Sequence, residues 1–554
     1  MNKKFLLPFF VLAAILTLSS CSNKLKPLAE QYIKAEPQPL EAIGGKVPVT
    51  INATFPAKWF NKKAVVTVTP VLRYQGGEAW GTSYTYQGEK VKGNNQVIPQ
   101  KEGANVTMKS SFTYKPEMKK SELYLTFDAK IKNKTVKLPD VKIGEGVIAT
   151  SELADAATAT AAIAADKFQR IIKEAHDANI MFLIQQANLR AKELNSDAIK
   201  EWKDLVKNAD EAPNQNVAIE ISAYASPDGG FKLNNTLAEN REGNTTKYLN
   251  KELKKMKVDA PVDARYTAQD WEGFKELVSA SDIEDKDLIL QVLAMQDNPV
   301  KRDEEIKSMT AVFEVLAKEI LPQLRRTKLI ADVDIEGRTD AEIKEAAAKN
   351  IDVLSEEEML YAATLTDDNA AKLKAYEAAA SKYNSVRGYN NAGVILAKEG
   401  KLAQAKAQLD KAAAMSKDAA ITNNLGVVAL MNGDLATAQK YLSALNTADS
   451  KANMGLVNLA EGNYAEAAKT LSGYDLAVAE VLNGNLSKAK SILAGENSAD
   501  ADYLKAVIAM REGNSSAAMS NLKSAVAKDP SMKDQAVNDV EFAKLFGTSE
   551  FLAL

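Results

Sequence analysis

The chain is poor in the residues on which most catalytic and metal chemistry depends. It has one cysteine and one histidine in 554 residues. One cysteine excludes a disulfide framework and a cluster of thiolate metal ligands. One histidine, His176, leaves no second imidazole for a zinc site. Lying among Lys173, Glu174 and Asp177, it is expected to be a solvated helix residue. GxSxG, Walker A, HExxH and GxGxxG motifs are absent. The net charge of −3 lacks the basic excess of a nucleic-acid binder, so no nucleic-acid partner is expected. No apolar run reaches the 18 or more residues of a membrane-spanning helix.

Carboxylate-only chemistry remains. Asp270-Trp-Glu272 and Asp282-x-x-Asp285 offer acidic pairs of the kind glycosidases use, but charged helix faces explain them better. Asp332-x-Asp334-x-Glu336-Gly337 begins like a calcium loop, yet Ile343 stands where a closing glutamate is needed. The expectation is a non-enzyme with no catalytic residue, metal or cofactor; a glycan hydrolase is the least favoured alternative.

What is present begins at the N-terminus. Lys3 and Lys4 precede an apolar run of about 14 residues, which ends in Leu18-Ser19-Ser20-Cys21. This resembles the lipobox of bacterial lipoproteins, and the chain's one cysteine stands at its acylation point. The resemblance implies a signal peptide over 1–20, a covalent lipid on Cys21 and a lipidated tether over 21–45. No aspartate follows Cys21 and no acidic cluster comes after it, which implies an outer-membrane anchor facing the periplasm.

At roughly 150 residues per domain, the length suggests three or four domains. From 46 to 146, short period-two runs such as Val47–Phe55 and Ala64–Tyr74 are separated by Gly76-Gly77, Gly93-Asn94-Asn95 and Asn133. That pattern predicts an all-β, Ig-like sandwich with Trp59, Tyr74 and Trp80 in its core and strands. Residues 147–170, Ala-rich over 151–166, read as a connector or a helix.

Over 171–337 the texture is mixed. A strand pattern at 218–224 leads to a turn, Ala225-Ser-Pro-Asp-Gly-Gly230, and then to Asn234-x-x-Leu237-Ala-x-x-Arg241-x-x-x-Thr245-x-x-Tyr248-Leu249. Leu237, Arg241, Thr245, Tyr248 and Leu249 share one helix side, with Asn234 as candidate N-cap. These residues resemble the OmpA-like domain. Residues 180–184 and the helix pattern at 198–207 look like that family's first strand and helix, Arg325-Arg326 like the start of its last strand, and 267–315 like a helical insertion. The resemblance implies an α/β fold and peptidoglycan as a ligand, with Arg241 holding a carboxylate and an acidic turn residue holding an ammonium. Ser226 stands at that acidic position, with Asp228 two residues on, and Glu242 replaces a small residue beside Arg241. The candidate peptidoglycan-binding residues are therefore Arg241, Asp228, Ser226 and Asn234.

The tail, 338–545, repeats. Glycines recur at 393/400, 426/433, 455/462, 484 and 513, and an alanine follows each second glycine five residues on (405, 438, 467, 489, 518). A leucine follows four residues later at 409, 442, 471, 493 and 522. Two helices per unit, closed by glycine and packed through alanine, satisfy this spacing. It resembles the tetratricopeptide repeat (TPR), and the resemblance implies a solenoid whose concave face takes a partner's peptide or helix. Steps of 33, 29, 22 and 29 residues predict clipped middle units, with 356–383 as a degenerate first pair.

The three modules together resemble envelope lipoproteins of Bacteroidetes. The expected function is that of a scaffold or adaptor whose repeats bind envelope proteins of an outer-membrane assembly or secretion machine. The alternative is a tether between outer membrane and peptidoglycan.

Overall fold

The computed structural model describes residues 25–284, 286–295, 298–308 and 310–554. The chain forms two compact units. One joins the described residues before Asp166 to Asp368–Leu554; the other is Asp166–Asp367.

In the first unit the sandwich pattern is realised strand by strand. Lys46–Phe55 buries Val47, Val49, Ile51, Ala53 and Phe55 at every second position. It lies between Ile33–Glu36 and Ala104–Thr113 in a three-stranded antiparallel sheet. The facing sheet is built on Ala64–Tyr74 paired with Ser121–Ile131. Phe55 meets Phe60 and Tyr86 edge-on at 5.5 and 5.3 Å in the core. Burying each such ring is worth roughly 2–3 kcal/mol. Trp59 and Tyr74 pack at the margin of that core, whereas Trp80 is 62% exposed. The described part of the expected tether is folded: Leu25 and Leu28 are buried, and Ile33–Glu36 completes the edge of Lys46–Phe55. Unpaired edge groups on that strand give the segment a place to bind.

The tail of the same unit is a stack of helix pairs: Val386–Lys398 with Leu402–Met415, Ala419–Met431 with Leu435–Leu442, Ala448–Ala460 with Tyr464–Ala467, Gly473–Leu482 with Leu486–Leu493, and Ala499–Arg511 with Ser515–Lys528. The short glycine steps come from shortened helices, most of all Tyr464–Ala467. Gly400 and Gly433 turn the chain between helices with φ of +73° and +74°. Gly426 serves differently. A methyl group there would stand 2.6 Å from Leu442 Cγ, so the glycine admits the leucine of the second helix.

Asn369–Tyr383 packs on Val386–Lys398 at one end of the stack. Phe542 closes the other end, edge-on to Tyr503 at 5.4 Å. There Arg511 donates to Glu541, and Thr150 at the sandwich's C-terminal edge donates to the same carboxylate at 2.7 Å. Sandwich and array thus share one ion-pair cluster.

The second unit is a four-stranded sheet in the order Ile171–Met181, Arg326–Glu336, Gln215–Tyr224, Val262–Thr267, of which the last two are parallel. Asp197–Glu211 and Phe231–Met256 contribute Ile199, Trp202, Val206, Leu249 and Leu253 to the cluster formed with Val217, Ile219, Ile221 and Leu329. Three expectations are corrected. The first strand is Ile171–Met181, not 180–184, because its full length pairs with Arg326–Glu336; Ile171–Ala175 are exposed on both faces, and only Ala178 and Ile180 are buried. His176 therefore lies on a strand, not a helix. The long helix begins at Phe231, capped by Gly230, so Asn234 sits inside its first turn.

The expected insertion contains the helices Trp271–Ala280, Lys286–Met295, Pro299–Ser308 and Thr310–Glu319, with its own cluster of Phe274, Val278, Ile289, Leu316 and Leu324. The helices Asp340–Lys349 and Glu356–Ala362, expected in the repeat region, belong to this unit. Arg338 donates twice to Glu358 at 2.9 Å, and Tyr361 stacks on Phe168 at 4.4 Å.

Candidate functional site

The four sequence-chosen residues of the second unit come together. Ser226, Asp228, Asn234 and Arg241 line one cavity of about 90 Å³, joined by Arg325. Each already has a partner. Asn234 holds the turn by donating to the carbonyls of Ser226 at 2.8 Å and Gly229 at 2.9 Å. The Ser226 hydroxyl donates to Asp228, whose other oxygen pairs with Arg325 at 3.2 Å.

Arg241 is 1% exposed and donates to the carbonyls of Tyr224 at 2.7 Å, Gln186 at 3.0 Å and Leu183 at 3.4 Å. Its guanidinium lies 4.9 Å from the centre of the Phe182 ring. Burial, aided by the nearby Arg325, lowers its pKa to about 10, so it stays charged at neutral pH. Glu242 is turned to Thr246, from which it accepts at 2.8 Å. Arg325 was seen in the sequence as a strand start; its pairing with Asp228 depends on tertiary placement.

The other acidic candidates are separated or structural. Asp270 caps its helix through the Gly273 N–H at 2.9 Å and pairs with Arg326 at 3.1 Å. Asp285 lies outside the described residues, as does Cys21. His176 faces Glu174 at 3.1 Å on the exposed strand.

The second site was not singled out in the sequence. Residues 159–165 do not form a helix. They run extended along the first helices of the repeat pairs. Asn453 accepts from the Thr160 N–H at 2.8 Å and donates to its carbonyl at 2.9 Å. Asn424 does the same for Ala162 at 2.7 and 2.8 Å, and Asn391 for Ala164 at 2.8 and 2.9 Å. Each side chain thus matches both hydrogen-bonding groups of one residue, as a neighbouring β-strand would.

A second asparagine reinforces two of these clamps. Asn423 donates to Thr160 O at 2.9 Å and Asn390 to Ala162 O at 3.0 Å. The ladder is tied lengthwise as well: Asn453 donates to Asn423 at 3.0 Å and Asn424 to Asn390 at 2.9 Å. Asp475 stands at the equivalent place in the next pair and accepts from the Thr158 hydroxyl at 2.9 Å. Its other oxygen is buried with no partner, and burial raises its pKa.

The segment, hereafter the strap, advances two residues per helix pair and runs opposite to the order of the pairs. The sequence did carry a signal. Asn391, Asn424 and Asn453 each precede by two residues the glycines 393, 426 and 455 that define the repeat, and Asn-Asn occurs at both 390–391 and 423–424.

The chain matches no protein-family model and none of the curated proteins. Among solved structures it is similar to a tetratricopeptide repeat protein from Parabacteroides merdae, at 12% identity over 36% of this chain and 91% of that one, with a TM-score of 0.30. It is also similar to YrrB, a TPR protein described as having an unusual peptide-binding site, at 19% identity over 37% of this chain and 100% of that one, with a TM-score of 0.21. Yeast Tom70 matches at 13% identity over 56% of this chain and 74% of that one, with a TM-score of 0.26. The helical repeat region resembles these TPR proteins.

Proposed function

We propose that the protein is a non-catalytic scaffold, anchored by a lipid on Cys21 to the outer membrane and facing the periplasm. In this reading its TPR-like array holds segments of proteins belonging to an outer-membrane assembly or secretion machine. One observation carries it: a row of asparagines on successive helix pairs grips an extended backbone through both N–H and C=O. That arrangement binds chain and transforms nothing. The lipobox-like Leu18-Ser19-Ser20-Cys21 supports the anchor.

The test is photo-crosslinking in cells from a reactive residue at position 387, on the array beside Ala165. Adducts to outer-membrane-fraction proteins are expected, and they should disappear in Asn424→Ala. Adducts confined to the chain itself would overturn the reading. Membrane fractionation of Cys21→Ser tests the anchor, with release expected.

A second reading, peptidoglycan binding, is favoured by the meeting of Asp228 and Arg241 in one cavity. A ligand would have to take Asp228 from Arg325 and draw Arg241 from its carbonyls. Retention of wild type on purified diaminopimelate-type peptidoglycan, lost in both Arg241→Ala and Asp228→Asn, would establish it; no retention of wild type would dismiss it.

A further inference from the structure

We propose that the concave face of the array is a seat for an extended, alanine-rich segment of a partner protein, and that residues 158–165 occupy this seat in cis until such a segment displaces them. The proposal rests on the scaffold reading and names the chemistry of its partner.

The strap shows what the groove accepts. All the clamps act on backbone, at alternate residues 160, 162 and 164. Backbone readout accepts any extended chain, so selectivity falls to the space around the side chains. The half-buried strap residues are Ala159, Ala161, Ala162 and Ala164, while Thr160, Ile163 and Ala165 are exposed. A competing segment therefore needs small residues where the strap has alanine and tolerates larger ones at the exposed places. The groove itself is built to be filled. Asn390, Asn391, Asn423, Asn424 and Asn453 are each no more than 2% exposed beneath the strap, and emptying the groove would take away their backbone partners and leave only the bonds among themselves.

The strap is a weak occupant by composition. Alanine brings little apolar area, and Ile163, its largest side chain, is 43% exposed. Its advantage is linkage. A covalently attached segment competes at an effective concentration on the order of millimolar. A partner segment succeeds by adding contacts that alanines cannot supply, or by arriving in several linked copies.

The experiment uses the full chain and a fluorescein-labelled peptide with the sequence of residues 155–166. Ala162→Pro with Ala164→Pro removes the two N–H groups accepted by Asn424 and Asn391 and unseats the strap. This variant is expected to bind the peptide at least tenfold tighter than wild type by fluorescence anisotropy. Adding Asn424→Ala should abolish that gain. Equal affinity in wild type and a folded variant, or no binding by either, overturns the proposal.

Should the proline variant not fold, hydrogen exchange on 15N-labelled wild type decides. Millimolar unlabelled peptide is expected to speed exchange at the chain's own Thr160, Ala162 and Ala164, and unchanged exchange overturns the proposal. Cellular adducts without peptide binding would fell this proposal alone. Peptide binding with adducts confined to the chain would fell the scaffold reading alone.

Discussion

Asn424 holds Ala162 by both hydrogen-bonding groups, accepting from its N–H at 2.7 Å and donating to its carbonyl at 2.8 Å across a sequence gap of 262 residues. The same side chain donates to Asn390. One amide therefore fastens the strap and ties two neighbouring helix pairs together.

Replacing it has a defined cost. Asn424→Ala leaves Ala162 and Asn390 without their shared partner. Three hydrogen bonds are lost at about 1 kcal/mol each, so a loss of roughly 3 kcal/mol is expected in urea unfolding. Amide exchange at Ala162 should rise by at least tenfold, while exchange within the sandwich stays as in wild type.

Gly426→Ala sets helix propensity against packing. Alanine gains about 1 kcal/mol over glycine in a helix interior. Its methyl would stand 2.6 Å from Leu442 Cγ, and overpacking of this kind costs about 1–3 kcal/mol. Packing should win, lowering the melting temperature of the first unit. Leu442→Ala alone is costly, but the Gly426→Ala/Leu442→Ala double variant should be less destabilised than the sum of the two, as a double-mutant cycle would show.

Asp475 makes the array sensitive to pH. Burial raises its pKa, and the neighbouring Asp155 adds to the shift against the opposing hydrogen bond from Thr158. A carboxyl group with a raised folded-state pKa favours the fold while protonated. That contribution is full below the ordinary aspartate pKa and is lost as pH rises through the raised one. Asp475→Asn should remove this dependence and stabilise the array at neutral pH, since its amide matches Asn391, Asn424 and Asn453 in the preceding pairs. Thermal melts at pH 4 and pH 7 check it: the wild-type gain at low pH, after the shared titration of other groups is subtracted, should vanish in the variant.

Arg241 is held by three backbone carbonyls, and its replacement tests structure apart from ligand binding. Arg241→Ala strands those carbonyls, at an expected cost of about 3 kcal/mol to the second unit. Arg241→Lys should recover part of that, because an ammonium reaches fewer of them. Differential scanning calorimetry should show the transition of Asp166–Asp367 moving while that of the other unit stays.

What could be read in advance follows from which forces leave a trace in residue type. The repeat was legible because close approach of two helices demands glycine at 426 and leucine at 442, and nothing else serves equally well. The alternation of Val47–Phe55 exposed a strand for the same reason. The strap was not legible. Its alanines favour helix, and only side chains 227 to 293 residues away make the extended form better satisfied. The four candidate residues line one cavity, yet their occupation by Arg325 and by three carbonyls depends on backbone placement that no motif records. The strand Ile171–Met181 escaped because both faces of Ile171–Ala175 are exposed, so no alternation of apolar and polar residues marks it there.

The strap also sets an order of assembly. Ala164 is made 227 residues before Asn391, and the whole of the Asp166–Asp367 unit lies between them in the chain. The sheet of that unit joins strands nearer in sequence than the strap and its asparagines, so it can be complete before the array reaches the alanine segment. The alanine segment waits meanwhile without its asparagines. Contacts so distant in sequence form slowly, so the clamped strap belongs to the last stage of maturation. A chain interrupted before Asn391 would carry a finished inserted domain with a bare alanine strand leading into it.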